Sequence, residues 1–232
     1  MQEVQSVLTG AELSKETHEG DHVLNEASYE KYVGQVFSND GLNVKNVINL
    51  SGKGTGMVNK IINILNHMPG GQHHFELAVI FRNSYLISSM LSCSEVWYDI
   101  TEWEHRKLEQ IDEMLIRKIF DCSSQVTSEM LSLELGLLPI RFIIKMRRVV
   151  YLQHIMKQRN QNSLIYRFLV AQKKCPKKND WFFQAKKDLD ELELNRETIE
   201  NMPTAKFKRL CKTNIYNLAL KYLISKKDKH EK

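Results

Sequence analysis

Apolar residues recur every three to four positions from Val44 into the C-terminal region, the spacing of one face of an α-helix. Val47, Leu50, Val58, Ile61, Ile62 and Leu65 form a first stripe, interrupted by the glycines of SGKGTG at 51–56, which read as a joint in or before a helix. Phe75, Ala78, Val79, Tyr85, Leu86 and Met90 form a second stripe, nearly apolar all round, which predicts burial. Thr101-Glu102-Trp103-Glu104 has the form of a capping box, and Leu108, Ile111, Leu115 and Ile119 make a helical face behind it. Gly136 suits a left-handed stop after a short helix at 128–135, and Pro139 suits the first turn of the next helix. Further helices are expected from Ser163, from an Asp180 cap and after Pro203, with a frayed tail SKKDKHEK.

One stretch departs from this period. EKYVGQVFSNDG, residues 30–41, alternates with period two and closes on the polar turn Ser38-Asn39-Asp40-Gly41. Residues 1–28 have no periodicity and are expected to be loose. The expected organisation is a loose segment at 1–28, a β-hairpin at 29–43, a helical domain at 44–160 and a basic helical region at 161–232, with KKCPKKND as an interior linker. The expected fold class is therefore mostly α: a helical bundle with a short N-terminal β-hairpin and a second, small basic helical region. A hairpin without a larger sheet is marginal. Exposed apolar surface near Val33, Val36 and Phe37, or packing of the hairpin onto the first helices, is the expected consequence.

The chain has 232 residues, 42% hydrophobic, enough for one sizeable core or two small ones. No stretch approaches the roughly 20 apolar residues that cross a bilayer, and the opening MQEVQSVLTGAELSKETHEG is too polar for a signal peptide. No membrane role and an intracellular location, cytoplasmic or nuclear, are expected. Cys93, Cys122, Cys175 and Cys211 form no C-x-x-C pair and read as reduced thiols. Charge is unevenly distributed. Residues 1–144 hold 11 Lys+Arg and 19 Asp+Glu, a net of −8; residues 145–232 hold 22 and 9, a net of +13. A basic half of this kind attracts polyanions, although solvated helix faces explain it equally simply.

Most local motifs read as structural. SGKGTG lacks the order of a phosphate-binding loop, because Lys53 lies between its glycines with no Ser or Thr directly after it. His73 and His74 point about 100° apart on a helix, near His67 but without a partner at metal-ligand spacing. Glu95, Asp99, Glu102 and Glu104 cluster at a helix N-terminus, where the dipole favours acids. The segment LGLLPIRFIIKMRRVVYLQHI at 135–155 is different. Arg141, Lys145 and Arg148 share one face, opposite Ile140, Ile143 and Ile144. Such a helix can lie on a phosphate backbone while docked to a core, or simply turn its charges to water.

Several segments, taken in order, resemble the region downstream of the catalytic motifs in reverse transcriptases of non-LTR retrotransposons. The resemblance rests on YEKYVGQVFSNDG, GKGTGMVNKIINIL, FRNSYLISSMLSCSEVWYDIT, LEQIDEMLIRKIFDC, LELGLLPIRFIIKMRRVVYLQHIM and SLIYRFLVAQKKCPKKNDW, which together span residues 29–181. It implies that Tyr32, Val33 and Gly34 match a primer-grip-like hairpin at the palm's edge. It implies that residues 45–160 form a thumb-like bundle cradling a template–primer duplex. Lys53, Lys60, Arg141, Lys145, Arg147 and Arg148 are the contact candidates it suggests. RNA, DNA or an RNA–DNA hybrid would be the partner, together with an intact reverse transcriptase.

The departure from the family pattern is equally informative. RNA-directed DNA polymerases hold two metal ions on carboxylates, and the family carries them in an aromatic-x-Asp-Asp turn. This chain contains no two adjacent aspartates, and 28 residues ahead of the hairpin are too few for fingers and most of a palm. The expectation is a truncated relative without catalytic residues, metal or cofactor of its own, magnesium being needed only by an intact polymerase. It would bind nucleic acid without sequence preference and be inactive as a polymerase alone. The alternative is a helical protein-interaction module with no nucleic-acid role.

Overall fold

The structure, a computed structural model, describes residues 16–19, 22–25, 28–32, 35–38, 43–68, 72–123, 126–158, 162–174, 177 and 180–230. It is mostly α, as the helical periodicity requires. Two antiparallel strand pairs precede the helices: β1 (Glu16–Glu19) with β2 (His22–Asn25), and β3 (Tyr29–Tyr32) with β4 (Gln35–Ser38). The first pair lies inside the segment expected to be loose. In the second, Tyr29 faces Ser38 and Tyr32 faces Gln35. The chain therefore reverses between Tyr32 and Gln35; of the expected Ser38-Asn39-Asp40-Gly41 turn, residues 39–41 lie outside the described residues.

The second strand pair is tied to the helices. The Val36 amide donates to Asn46 Oδ1 at 3.0 Å, Asn46 Nδ2 donates to Gln35 Oε1 at 2.8 Å, and Gln35 Nε2 donates to Ser92 Oγ at 3.0 Å. Gln35 and Asn46 are buried, so these polar side chains satisfy one another away from water. Tyr29 and Phe37 remain exposed, as a strand pair without a covering sheet predicts.

Helix α1 (Val44–Asn66) runs without a break through SGKGTG. The expected joint is absent because Gly54 is a contact point. A Cβ there would lie 2.8 Å from Ile111 Cγ2 and 2.9 Å from Met90 Sδ, so the missing side chain lets neighbouring helices pack close. Helix α2 (Gln72–Phe81) passes into a π-helical stretch (Arg82–Ile87) and one last α-turn (Ser88–Met90). The Ser88 hydroxyl donates to the Asn83 carbonyl at 3.0 Å, spanning the widened turn. This segment is not buried all round, since Phe75, Ile80 and Tyr85 are exposed.

Helix α3 (Glu102–Phe120) begins with the expected capping box. The Glu104 amide donates to Thr101 Oγ1 and the Thr101 amide to Glu104 Oε2. Helix α4 (Ser128–Glu134) stops before Gly136, which has φ +60°. Helices α5 (Ile140–Met156), α6 (Leu164–Lys174), α7 (Trp181–Glu191), α8 (Arg196–Asn201) and α9 (Thr204–His230) complete the chain. The expected frayed tail is helical to His230. Asp180 precedes α7, but its carboxylate accepts from the Lys177 amide at 2.9 Å and not from the helix.

Helix α5 is the centre of the bundle. It packs against α3, α6, α7, α8 and α9 and against the short 3-10 turn Ser94–Val96. Ile140, Phe142, Ile144, Val149, Leu152 and Ile155 are buried, and side chains this well covered each stabilise the fold by about 1.5–3 kcal/mol. One apolar core joins Val47 on α1 to Ala219 on α9. Beyond the boundary expected at 160/161, α7, α8 and α9 pack on the same central helix.

Candidate nucleic-acid interface

The six cations expected to meet phosphate fall on two helices. Lys53 and Lys60 are exposed on α1, seven residues apart and so on one side of the helix. Arg141, Lys145, Arg147 and Arg148 lie on α5, and their interactions among the described residues are with α3, α7, α9 and the turn between residues 91 and 97. Of the primer-grip-like residues, Tyr32 ends β3 opposite Gln35. Its side chain, and Val33 and Gly34 entirely, lie outside the described residues.

The α5 cations are engaged within the fold. Arg141 donates from Nε and Nη2 to Glu109 at 2.8 Å each, and from Nη1 and Nη2 to Glu102 at 3.1 and 2.9 Å. Its guanidinium also lies 5.2 Å from the Tyr222 ring centroid. Burial opposes the Arg141 charge, but the hydrogen bonds to Glu109 and Glu102 outweigh it and raise its pKa. The same hydrogen bond lowers the pKa of Glu102. Lys145 pairs with Glu191 and lies 3.9 Å from Asp188.

Arg148 is buried and pairs with Asp188, while its Nε donates to the Trp97 carbonyl at 2.9 Å. Burial works against both charges of this pair, lowering the Arg148 pKa and raising that of Asp188. Arg147 donates to the Leu91 carbonyl and to Ser94 Oγ at 3.3 Å. Its pKa is lowered by burial. This cationic stripe does not turn to water; it binds α3 and α7 to the central helix.

The strongest solvent-facing run of cations is on α9. From Thr204 to Lys227 that helix contains Lys206, Lys208, Arg209, Lys212, Lys221, Lys226 and Lys227 and no Asp or Glu. Lys206, Lys208, Arg209 and Lys212 are exposed, and Phe207, Cys211 and Ile215 turn inward and are fully buried. Burial pushes the Cys211 thiol up to about 12, so it stays protonated as part of the core. Farther along, Tyr216, Leu220 and Ile224 are exposed at intervals of four residues, and Lys212 Nζ sits 6.0 Å from the Tyr216 centroid. In the sequence, the signal for these cations is their spacing without an acid from Lys206 to Lys227.

Among the described residues, no three His, Cys, Asp or Glu side chains gather as a metal site would require, and no helix is long and apolar enough to cross a membrane. No protein-family model matches the chain, and no curated protein or solved structure matches it.

Proposed function

We propose that this chain is a nucleic-acid-binding helical protein corresponding to the palm edge and thumb of a retrotransposon reverse transcriptase. It grips the phosphate backbone of RNA, DNA or a hybrid without reading sequence. The observation that carries this reading is the N-terminal half of α9. Three cations fall in its first two turns with no acid beside them. Cations at a helix N-terminus oppose the macrodipole, so folding alone gives no reason for them; an anionic partner does. Lys206, Arg209 and Lys212 present themselves to a phosphate row at helical spacing, with Lys53 and Lys60 of α1 as a second set. The α5 cations support this surface from within by holding the bundle together.

The test is the salt dependence of binding to a primer–template duplex between about 50 and 200 mM salt, where each phosphate contact contributes roughly 0.9 to the log–log slope. The wild-type chain should show a slope of several units. A Lys206→Gln/Arg209→Gln/Lys212→Gln variant should lose about three of them. A flat response in the wild-type chain would remove the reading. With magnesium and deoxynucleotides the pure protein should extend no primer, since the chain contains no adjacent aspartate pair to hold the metals.

A second reading rests on the exposed stripe of Tyr216, Leu220 and Ile224. A partner helix could bury it, with the neighbouring lysines meeting acids on that partner. This predicts a stoichiometric protein complex and nucleic-acid binding that does not steepen with salt.

A further inference from the structure

A cleft of about 520 Å³ opens between the start of α3, the cationic side of α5, α7 and the C-terminal half of α9. Its size is that of a small-molecule site, and it lies apart from Lys206, Arg209 and Lys212. Five cations line it: Arg141, Lys145 and Arg148 from α5, Lys187 from α7 and Lys221 from α9. Glu102 and Glu191 are the acids on its wall, with Glu109 and Asp188 behind them as partners of Arg141 and Arg148.

The pairing leaves a surplus with a definite location. Lys187 and Lys221 are exposed and, among the described residues, have no acidic partner. Arg148 uses Nε and Nη1 on Trp97 and Asp188, which leaves Nη2 without an acceptor among the described residues. Below the same wall, His105 Nδ1 is buried with no hydrogen-bond partner. Burial, then the charge of Arg141, with smaller contributions from Arg148 and Lys145, holds His105 down to about 4, against the opposing pull of Glu102. Ile100, Phe142 and Leu218 supply an apolar wall beside the charges.

We propose that this cleft binds a phosphate-bearing small molecule of nucleotide size, its phosphate groups held between Lys187 and Lys221 and its body against the apolar wall. Two lysines from different helices lining one cleft match the double charge of a terminal phosphate, and Arg148 contributes a fixed donor that needs no reorganisation. Inorganic pyrophosphate and a nucleoside diphosphate share this chemistry, and both are used in the test.

The experiment is thermal unfolding of the full chain with ADP, with inorganic pyrophosphate and with adenosine, each up to about 10 mM, a range that reveals millimolar sites. ADP should raise the midpoint by a few degrees, and adenosine should leave it unchanged. A larger shift with ADP than with pyrophosphate assigns the apolar wall to the nucleoside, and equal shifts assign the site to phosphate groups alone. Lys187→Gln/Lys221→Gln, at exposed positions, should keep the unliganded midpoint and weaken binding about tenfold or more. The Lys206→Gln/Arg209→Gln/Lys212→Gln variant should keep the ADP shift while its duplex binding weakens and loses about three units of salt slope, so the two sites fail independently. Absence of any shift with both phosphate compounds, or a shift that survives in Lys187→Gln/Lys221→Gln, overturns the proposal.

Discussion

Arg141 of α5 meets Glu109 of α3 side on, with Nε–Oε1 and Nη2–Oε2 both at 2.8 Å. This two-point contact joins residues 32 apart in sequence and ties the guanidinium into the bundle. Removing the head group leaves Glu109 without its counter-charge and Glu102 with only Arg106, 3.9 Å away. Arg141→Ala should cost about 2–4 kcal/mol, read as a lower urea midpoint with an unchanged m-value. Duplex affinity, measured where the variant is still folded, should change by less than about tenfold. A larger loss would put this guanidinium in contact with phosphate.

Arg82 and Asp112 form a second clasp. Nε–Oδ1 is 2.7 Å, Nη2–Oδ2 is 2.5 Å, and Nη2 also donates to the Leu138 carbonyl at 3.0 Å. Both side chains are buried, so either one alone would be an unpaired charge in the core. Arg82→Ala and Asp112→Ala should each cost about 3–5 kcal/mol. Arg82→Met/Asp112→Leu should cost less than either, because no charge is then stranded. A double variant as unstable as the sum of the singles would show that the two side chains act separately.

The helical frame is legible in the sequence where the signal is local. The capping box of Thr101 and Glu104 and the left-handed Gly136 need only their immediate neighbours. SGKGTG misleads because glycine lowers helix propensity by only about 1 kcal/mol per residue, which the packing of α1 through Gly54 offsets. The pairing of Tyr32 with Gln35 is hard to read beside the more polar Ser38-Asn39-Asp40-Gly41 stretch a few residues on. The cationic stripe on α5 is visible from Arg141, Lys145 and Arg148, but what it faces is not. Its counter-charges lie 32 and more residues away in sequence. They do carry a signal: Glu102 and Glu109 are seven apart and Asp188 and Glu191 three apart, each pair on one helical face. Only the packing of α3 and α7 on α5 turns that spacing into partners.

His105 makes stability depend on pH in a stated direction. Its folded value is about 4 against an ordinary 6.5, so the unfolded chain binds the proton more readily between those limits. Stability from this group is fully present above about pH 6.5 and is lost as the pH falls towards 4. At about 1.4 kcal/mol per unit the loss approaches 3 kcal/mol. Urea unfolding at intervals from pH 7.5 to 4.5, values chosen to bracket about that window, should show this decline. His105→Gln should flatten it, leaving only the carboxylate contribution below about pH 5. An equally steep decline in the variant would assign the effect elsewhere.

The three glycines of SGKGTG make opposite demands on the same helix. Gly52 and Gly56 face open space, with nothing within 4 Å of an added Cβ. Alanine there should gain about 0.5–1 kcal/mol each, by restricting the unfolded chain and filling a helix position that glycine weakens. Gly54 is different. An added Cβ would meet Ile111 Cγ2 at 2.8 Å and Met90 Sδ at 2.9 Å, and Met90 is buried. Overpacking costs about 1–3 kcal/mol, which exceeds the propensity gain of about 1 kcal/mol at most sites. Thermal unfolding separates the cases at about 2–4 °C per kcal/mol for a chain of this size. Gly52→Ala and Gly56→Ala should raise the midpoint, and Gly54→Ala should lower it. A rise at all three would mean that α1 does not approach Met90 and Ile111 as closely as the packing requires.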